Sequence, residues 1–125
     1  MTQHGFLTSI TTTNGRTNRK RYVLYSVAVV AVSVVLMMFD PTLWASEGGE
    51  TGRLGGIVYL VSAIAHLILF IRRSHDVNRS GWLALLIIVP LVNIAVGLYA
   101  IFAKGTQGPN RFGPDPLNQV APAVA

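Results

Sequence analysis

The side chains able to do chemistry fall in two polar segments and at one point inside an apolar run. The first segment reads Ile71-Arg72-Arg73-Ser74-His75-Asp76-Val77-Asn78-Arg79-Ser80-Gly81-Trp82. His75 beside Asp76 could form a general-base pair or supply two ligands to a metal. Neither chemistry is complete, because no paired nucleophile and no third ligand accompanies them. The reading this pattern favours is a latch: Asp76 caps the chain or pairs with Arg73 or Arg79, Ser80-Gly81 turns, and Trp82 anchors the next segment in a bilayer interface. Arg72 and Arg73 would then end a helix and face anionic lipid head groups. The second segment, Gly108-Pro109-Asn110-Arg111-Phe112-Gly113-Pro114-Asp115-Pro116, is too rich in Pro and Gly for helix or strand. Its Asn110 and Arg111 can donate to carbonyls or phosphates. His66 stands alone inside an apolar run. It could relay protons, ligate a haem or a metal, or sense pH; the plainer role is a neutral imidazole bonded to a neighbouring helix, through Asn93 or a serine. No catalytic residue, cofactor site or metal site is assigned.

The rest of the chain must position these groups. It has 125 residues, is 51% hydrophobic, and is only 12% charged, where a soluble domain runs near a quarter. That balance excludes a disordered chain, a collagen and an ordinary soluble enzyme. Cysteine is absent, which excludes disulfides, iron–sulfur clusters and thiol catalysis. Lys, Arg, Asp and Glu are missing from Tyr22 to Phe39, from Leu54 to Ile71 and from Trp82 to Ala103. At about 1.5 Å per residue each stretch matches the roughly 30 Å core of a bilayer. The expected fold is an all-α membrane protein with three transmembrane helices, 22–39, 54–71 and 82–103, the third kinked at Pro90. A polar segment, 1–21, precedes them and a Pro/Gly-rich coil, 104–125, follows. The first run is longer than a signal-peptide core, and Leu43-Trp44-Ala45 is a poor cleavage site. The Asp40–Arg53 stretch, with Gly48-Gly49, reads as a turn-rich loop.

Basic residues set the orientation. Arg16, Arg19, Lys20, Arg21, Arg72, Arg73 and Arg79 would lie on one side, against Arg53, Lys104 and Arg111 on the other, seven against three. The N-terminus is therefore expected in the cytoplasm. Pro90 leaves a second possibility. If Pro90-Leu91-Val92-Asn93 is the tip of a re-entrant hairpin, Lys104 and Arg111 return to the cytoplasmic side and the count becomes nine against one. Stripes of small and polar residues, Gly55-Tyr59-Ser62-Ala63-His66 and Pro90-Asn93-Gly97-Ala100-Lys104, are expected to face protein rather than lipid.

The two polar segments, together with the lead-in Asn14-Gly15-Arg16-Thr17-Asn18-Arg19-Lys20-Arg21-Tyr22, resemble a widespread bacterial inner-membrane family, the domain of unknown function numbered 805. The resemblance runs from Asn14 to Pro116 and rests on Gly-Arg-x-x-Arg, Arg-Arg-x-His-Asp…Arg-Ser-Gly-Trp and Asn-Arg-x-Gly-Pro-Asp-Pro. Departures are Ser74 where the family often has Leu, Asn78 where it often has Gly, and Leu83 where a second aromatic is common. The resemblance implies a small multi-pass inner-membrane protein and no particular reaction. Three functions follow as expectations. The first is a non-enzymatic accessory or assembly subunit of a larger respiratory or photosynthetic type of complex, with other membrane subunits or further copies as partners. The second is an oligomeric transporter or channel lined by Ser62, His66 and Asn93. The third is a lipid-binding surface enzyme using Arg72, Arg73, His75, Asp76, Asn110 and Arg111. Nucleic acid is not expected as a partner, because the basic residues flank the spans.

Overall fold

Two long apolar helices pair through a seam with heptad spacing. The computed structural model describes residues 6–40 and 52–117, and among these every element is helical. A short helix α1, Phe6–Thr11, precedes α2, Arg19–Met38, and α3, Arg53–Asp76. The expected turns at 41–51, residues 1–5 and the chain beyond Leu117 lie outside the described residues. Asn18 starts α2: its backbone is extended and its side-chain oxygen accepts the Arg21 N–H at 2.9 Å, the usual N-cap geometry. The helix α3 has no such cap of its own, since Gly52 stands at that position. Asp40 supplies it from across the hairpin, accepting the Gly55 N–H at 2.8 Å from a fully buried site.

Along α3 the inward positions are Gly55, Val58, Ser62, Ala65, Leu69, Arg72 and Asp76, all buried except the half-buried Ser62. Steps of three and four alternate throughout, the spacing of a coiled-coil seam. The hydroxyls of Ser33 and Ser62 hydrogen-bond across it, and Val29, Ala65 and Leu69 pack with Tyr22 and Tyr25. The outward surface is apolar: Val27 is 60% exposed, Val30 51% and Leu60 60%. Both helices are long and apolar enough to cross a bilayer. In water such a surface would aggregate; in lipid it needs no cover.

The third apolar stretch is not one kinked helix. Gly81–Ile88 winds as a 3-10 helix, the chain breaks over Val89-Pro90-Leu91, and α4 runs Val92–Phe102. Proline disfavours the α region for the residue before it, and Val89 is extended. Leu91 takes a left-handed φ of 67°, and the chain doubles back. The two arms match in height: eight residues at about 2.0 Å and eleven at about 1.5 Å each give about 16 Å, half a bilayer core. Both open ends meet the end of α3. A Cβ on Gly81 would sit 3.0 Å from the Ile71 side chain, and Arg73 Nε donates to the Ala100 carbonyl at 2.7 Å. The stretch 82–103 is therefore a hairpin, not a single span.

Only part of each expected stripe packs within this chain: Gly55 and Ala100 are buried. Tyr59 is 72% exposed, Ala63 faces outward, and Pro90 and Asn93 are exposed. The face of α4 that packs is Val96 and Ala100, against Phe70 and Ala84. Phe70 fills the space that small residues were expected to close, and the bond from Arg73 to Ala100 sets the rotation of α4. His66 bonds neither Asn93 nor a serine hydroxyl; its Nδ1 donates to the Ser62 carbonyl one turn back, at 2.8 Å.

A hairpin requires both chain ends on one side of the membrane. Reporters fused ahead of Thr2 and after Ala125, one fluorescent only in the cytoplasm and one active only outside it, are expected to read the same side. Opposite sides would mean a complete third span.

Candidate functional site

The last turn of α3 carries its polar residues inward. Arg72 and Arg73 are each 1% exposed and Asp76 3%, so every one of these charges needs partners. The expectation that Arg72 and Arg73 face lipid head groups is overturned. Arg72 points into a cradle made by the N-terminal segment: Nε donates to Thr17 Oγ1 at 3.1 Å, and Nη1 to Thr12 Oγ1 at 3.1 Å and the Thr8 carbonyl at 3.3 Å. Thr8 lies on α1 and Thr12 just past its end, and Phe6 holds that helix edge-on against Tyr25. The backbone closes the same contact, Thr17 N–H donating to the Arg72 carbonyl at 3.1 Å.

Asp76 is the centre of the cluster. One carboxylate oxygen accepts from Arg16 Nε at 3.1 Å, the other from Arg73 Nη1. The expected partner Arg73 is present; the second is Arg16, not Arg79, which is exposed. Each arginine then reaches on to backbone. Arg73 holds the end of α4 through the carbonyls of Ala100 and Ala103. Arg16 holds the tail through Thr106 and, at 2.7 Å, Gly108. The Thr106 N–H returns a bond to the Asp76 carbonyl at 2.7 Å. Gly105 passes so close that a Cβ there would lie 2.1 Å from Asp76 Oδ2.

His75 faces another way. Its Nδ1 donates to the Gly15 carbonyl at 3.1 Å, and its ring stacks on Phe112 with centroids 4.0 Å apart and planes 5° from parallel. Asn110 Nδ2 donates to the His75 carbonyl at 2.9 Å. The tail keeps its shape through a tight turn, Asn110 and Gly113 exchanging backbone bonds at 3.0 Å, with Arg111 over the Phe112 ring. Asp115 accepts the N–H groups of Leu117 and Gly108, both at 2.9 Å, which hold its carboxyl below the usual carboxylate range.

Three segments far apart in sequence thus meet at one end: the lead-in, the link after α3 and the tail. Asp76 is neutralised between two guanidiniums and is not hydrogen-bonded to His75, and the space beside Arg73, Ser74 and Tyr99 is too small for water. Trp82 is 77% exposed at the start of the hairpin, and Asn93 and Gly97 lie on α4 outside the cluster. Besides the Phe112 ring, Arg111 reaches the Asn78 carbonyl, at 3.5 Å. Sequence reasoning counted Arg16 as a topological charge, gave Gly105 only a turn, and left Thr8, Thr12, Thr17 and Phe112 unassigned. The one available signal was Arg16 in the Gly-Arg motif.

The family described as protein of unknown function (DUF805) matches residues 10–114. The chain belongs to this family. Inner membrane protein YhaH of Escherichia coli (strain K12) is 36% identical over 103 residues, 82% of this chain and 84% of that relative. Inner membrane protein YhaI of the same organism is 35% identical over 103 residues, with the same coverage. No solved structure matches. The three motifs that carry the resemblance to DUF805 converge in the cluster, and all but Asp115 and Pro116 of the tail motif lie in the matched range. Two departures from the family pattern have local explanations. Asn78 sits at φ 58° just past the end of α3, where Gly is favoured and Asn tolerated. Ser74 satisfies its own buried hydroxyl on the Phe70 carbonyl at 3.0 Å.

Two substitutions probe the cluster. Asp76→Asn leaves two buried guanidiniums without a counter-charge and is expected to destabilise the protein by about 3–5 kcal/mol, whereas the exposed Arg79→Gln stays within about 0.5 kcal/mol. Thermal unfolding in detergent compares them. Gly105→Ala forces the tail away from a carboxylate that cannot move, with an expected loss of about 1–3 kcal/mol; limited proteolysis should then cut the tail faster than in the wild type.

Proposed function

We propose that this chain is a non-enzymatic subunit of the bacterial inner membrane, with two spans, a re-entrant hairpin and both ends cytoplasmic. Its role is to pack against a larger membrane complex as an accessory or assembly factor. The observation that carries this reading is how the polar groups of the three motifs are used. Arg16, Arg72, Arg73, His75, Asp76 and Asn110 are all spent on one another, on threonine hydroxyls and on nearby backbone, so the motifs build a lock rather than a reaction centre. The relatives' names, inner membrane proteins, support the location. The basic-residue count supports the orientation, since the hairpin gathers nine of ten on one side.

What remains outward within the bilayer suits a protein partner. Asn93 is exposed on α4, and an amide is poorly accommodated by hydrocarbon. One turn on, a Cβ at Gly97 would meet nothing within 4 Å, which leaves room for another helix. The transporter reading draws less support, because His66 is bonded to its own helix.

Isolation of the tagged chain in mild detergent tests the proposal. Larger membrane subunits are expected to co-purify in fixed ratio, and Gly97→Leu should reduce their recovery several-fold without lowering expression. Recovery of the chain alone, or an unchanged complex with Gly97→Leu, would overturn it.

A further inference from the structure

A groove of about 570 Å³ runs between the start of α2 and the end of α4, a volume within the about 300–1,000 Å³ of small-ligand sites. Its walls are apolar: Leu24 and Val27 from α2, Ile101 and Phe102 from α4. Its rim is cationic. Arg19 and Lys20 stand at the mouth, both exposed, and neither makes a hydrogen bond or ion pair among the described residues. They differ in this from Arg72 and Arg73, whose charges are used inside the cluster. From Lys20 to Val27 the helix descends about 10 Å, which keeps the groove within one leaflet of about 15 Å. Positive charge at head-group depth above an apolar trough is complementary to one class of molecule.

We propose that this groove binds an anionic phospholipid, its phosphate on Arg19 and Lys20 and one acyl chain along Leu24, Val27, Ile101 and Phe102. This rests on the membrane placement argued above and adds a specific site to it. Any bilayer would fill the trough with hydrocarbon; the charges make it selective for the head group. The charge balance at this end points the same way. Nine basic residues there face two described carboxylates, Asp76 and Asp115, and Asp76 is already shared by Arg16 and Arg73. Because α2 and α4 form opposite walls, a lipid in the groove would also brace the hairpin against the first span.

The full chain in detergent, loaded with equal dioleoyl phosphatidylglycerol and dioleoyl phosphatidylcholine, tests this by native mass spectrometry. The wild type is expected to retain phosphatidylglycerol over phosphatidylcholine. Retention should fall roughly thirtyfold in the double variant Arg19→Gln/Lys20→Gln, the joint worth of two interfacial cations. Arg79→Gln, basic and exposed at the same end, should behave as wild type. Val27→Trp, which narrows the trough, should lower retention of both lipids. Millimolar inorganic phosphate should not displace the lipid. Equal retention of the two lipids by the wild type overturns the proposal, as does undiminished phosphatidylglycerol on the double variant or displacement by phosphate. If the double variant unfolds, the charge-preserving Arg19→Lys/Lys20→Arg decides, since it must retain the lipid. Failure of the membrane placement itself would show separately, as protein released from membranes by alkaline carbonate without detergent.

Discussion

A single carboxylate organises one end of this molecule. Asp76, buried at the close of α3, is held by Arg16 from one side and Arg73 from the other. Neither arginine could be buried alone, and the carboxylate could not be buried without them. Once paired, each arginine has donors left over, and these reach different parts of the chain: Arg73 the end of α4, Arg16 the tail. The ion cluster therefore does what a hydrophobic core does in a soluble domain. Core residues are few here because most apolar side chains face lipid, where burial against protein brings little gain.

The hairpin depends on this arrangement. A 3-10 arm and an eleven-residue helix are each too short to cross a bilayer, and non-helical backbone at mid-depth needs protein around it. Within one chain, α2 and α3 offer one flank, through Phe70 and Tyr22. The open ends are fastened to Arg73 and to the Ile71 side chain by Gly81. The loose feature is the tip, where Leu91 is 79% exposed.

Much of this was legible in the sequence, for reasons that differ by residue. The first two spans were clear because charge is absent from them over a membrane's thickness. Asp76 with Arg73 was legible because three residues is a helical neighbour spacing. Arg16 was not, since nothing local ties residue 16 to residue 76. The hairpin was visible as an alternative at Pro90, but composition does not distinguish a kink from a reversal. That depends on Leu91 adopting a left-handed backbone, which Leu does not favour. The seam of α3 was misread because small residues were sought, whereas the packed positions include Val58, Leu69 and two charges. The DUF805 resemblance pointed to the right three segments without saying that they touch.

The order of synthesis gives the cluster a further meaning. Its partners come from residues 16, 73 and 76 and from the stretch 105–113. A ribosome delivers them in that order, and the α2–α3 pair can insert before the last group exists. Until then Asp76 has Arg16 and Arg73, but the remaining donors of those arginines have no carbonyls of 100–113 to reach. The clasp can close only after residue 113 has been made, so a chain cut short before the tail stays open at that end. Synthesis past residue 113 is thereby written into a buried charge balance, and a copy cut short before the tail exposes at the membrane surface polar groups that the tail otherwise conceals.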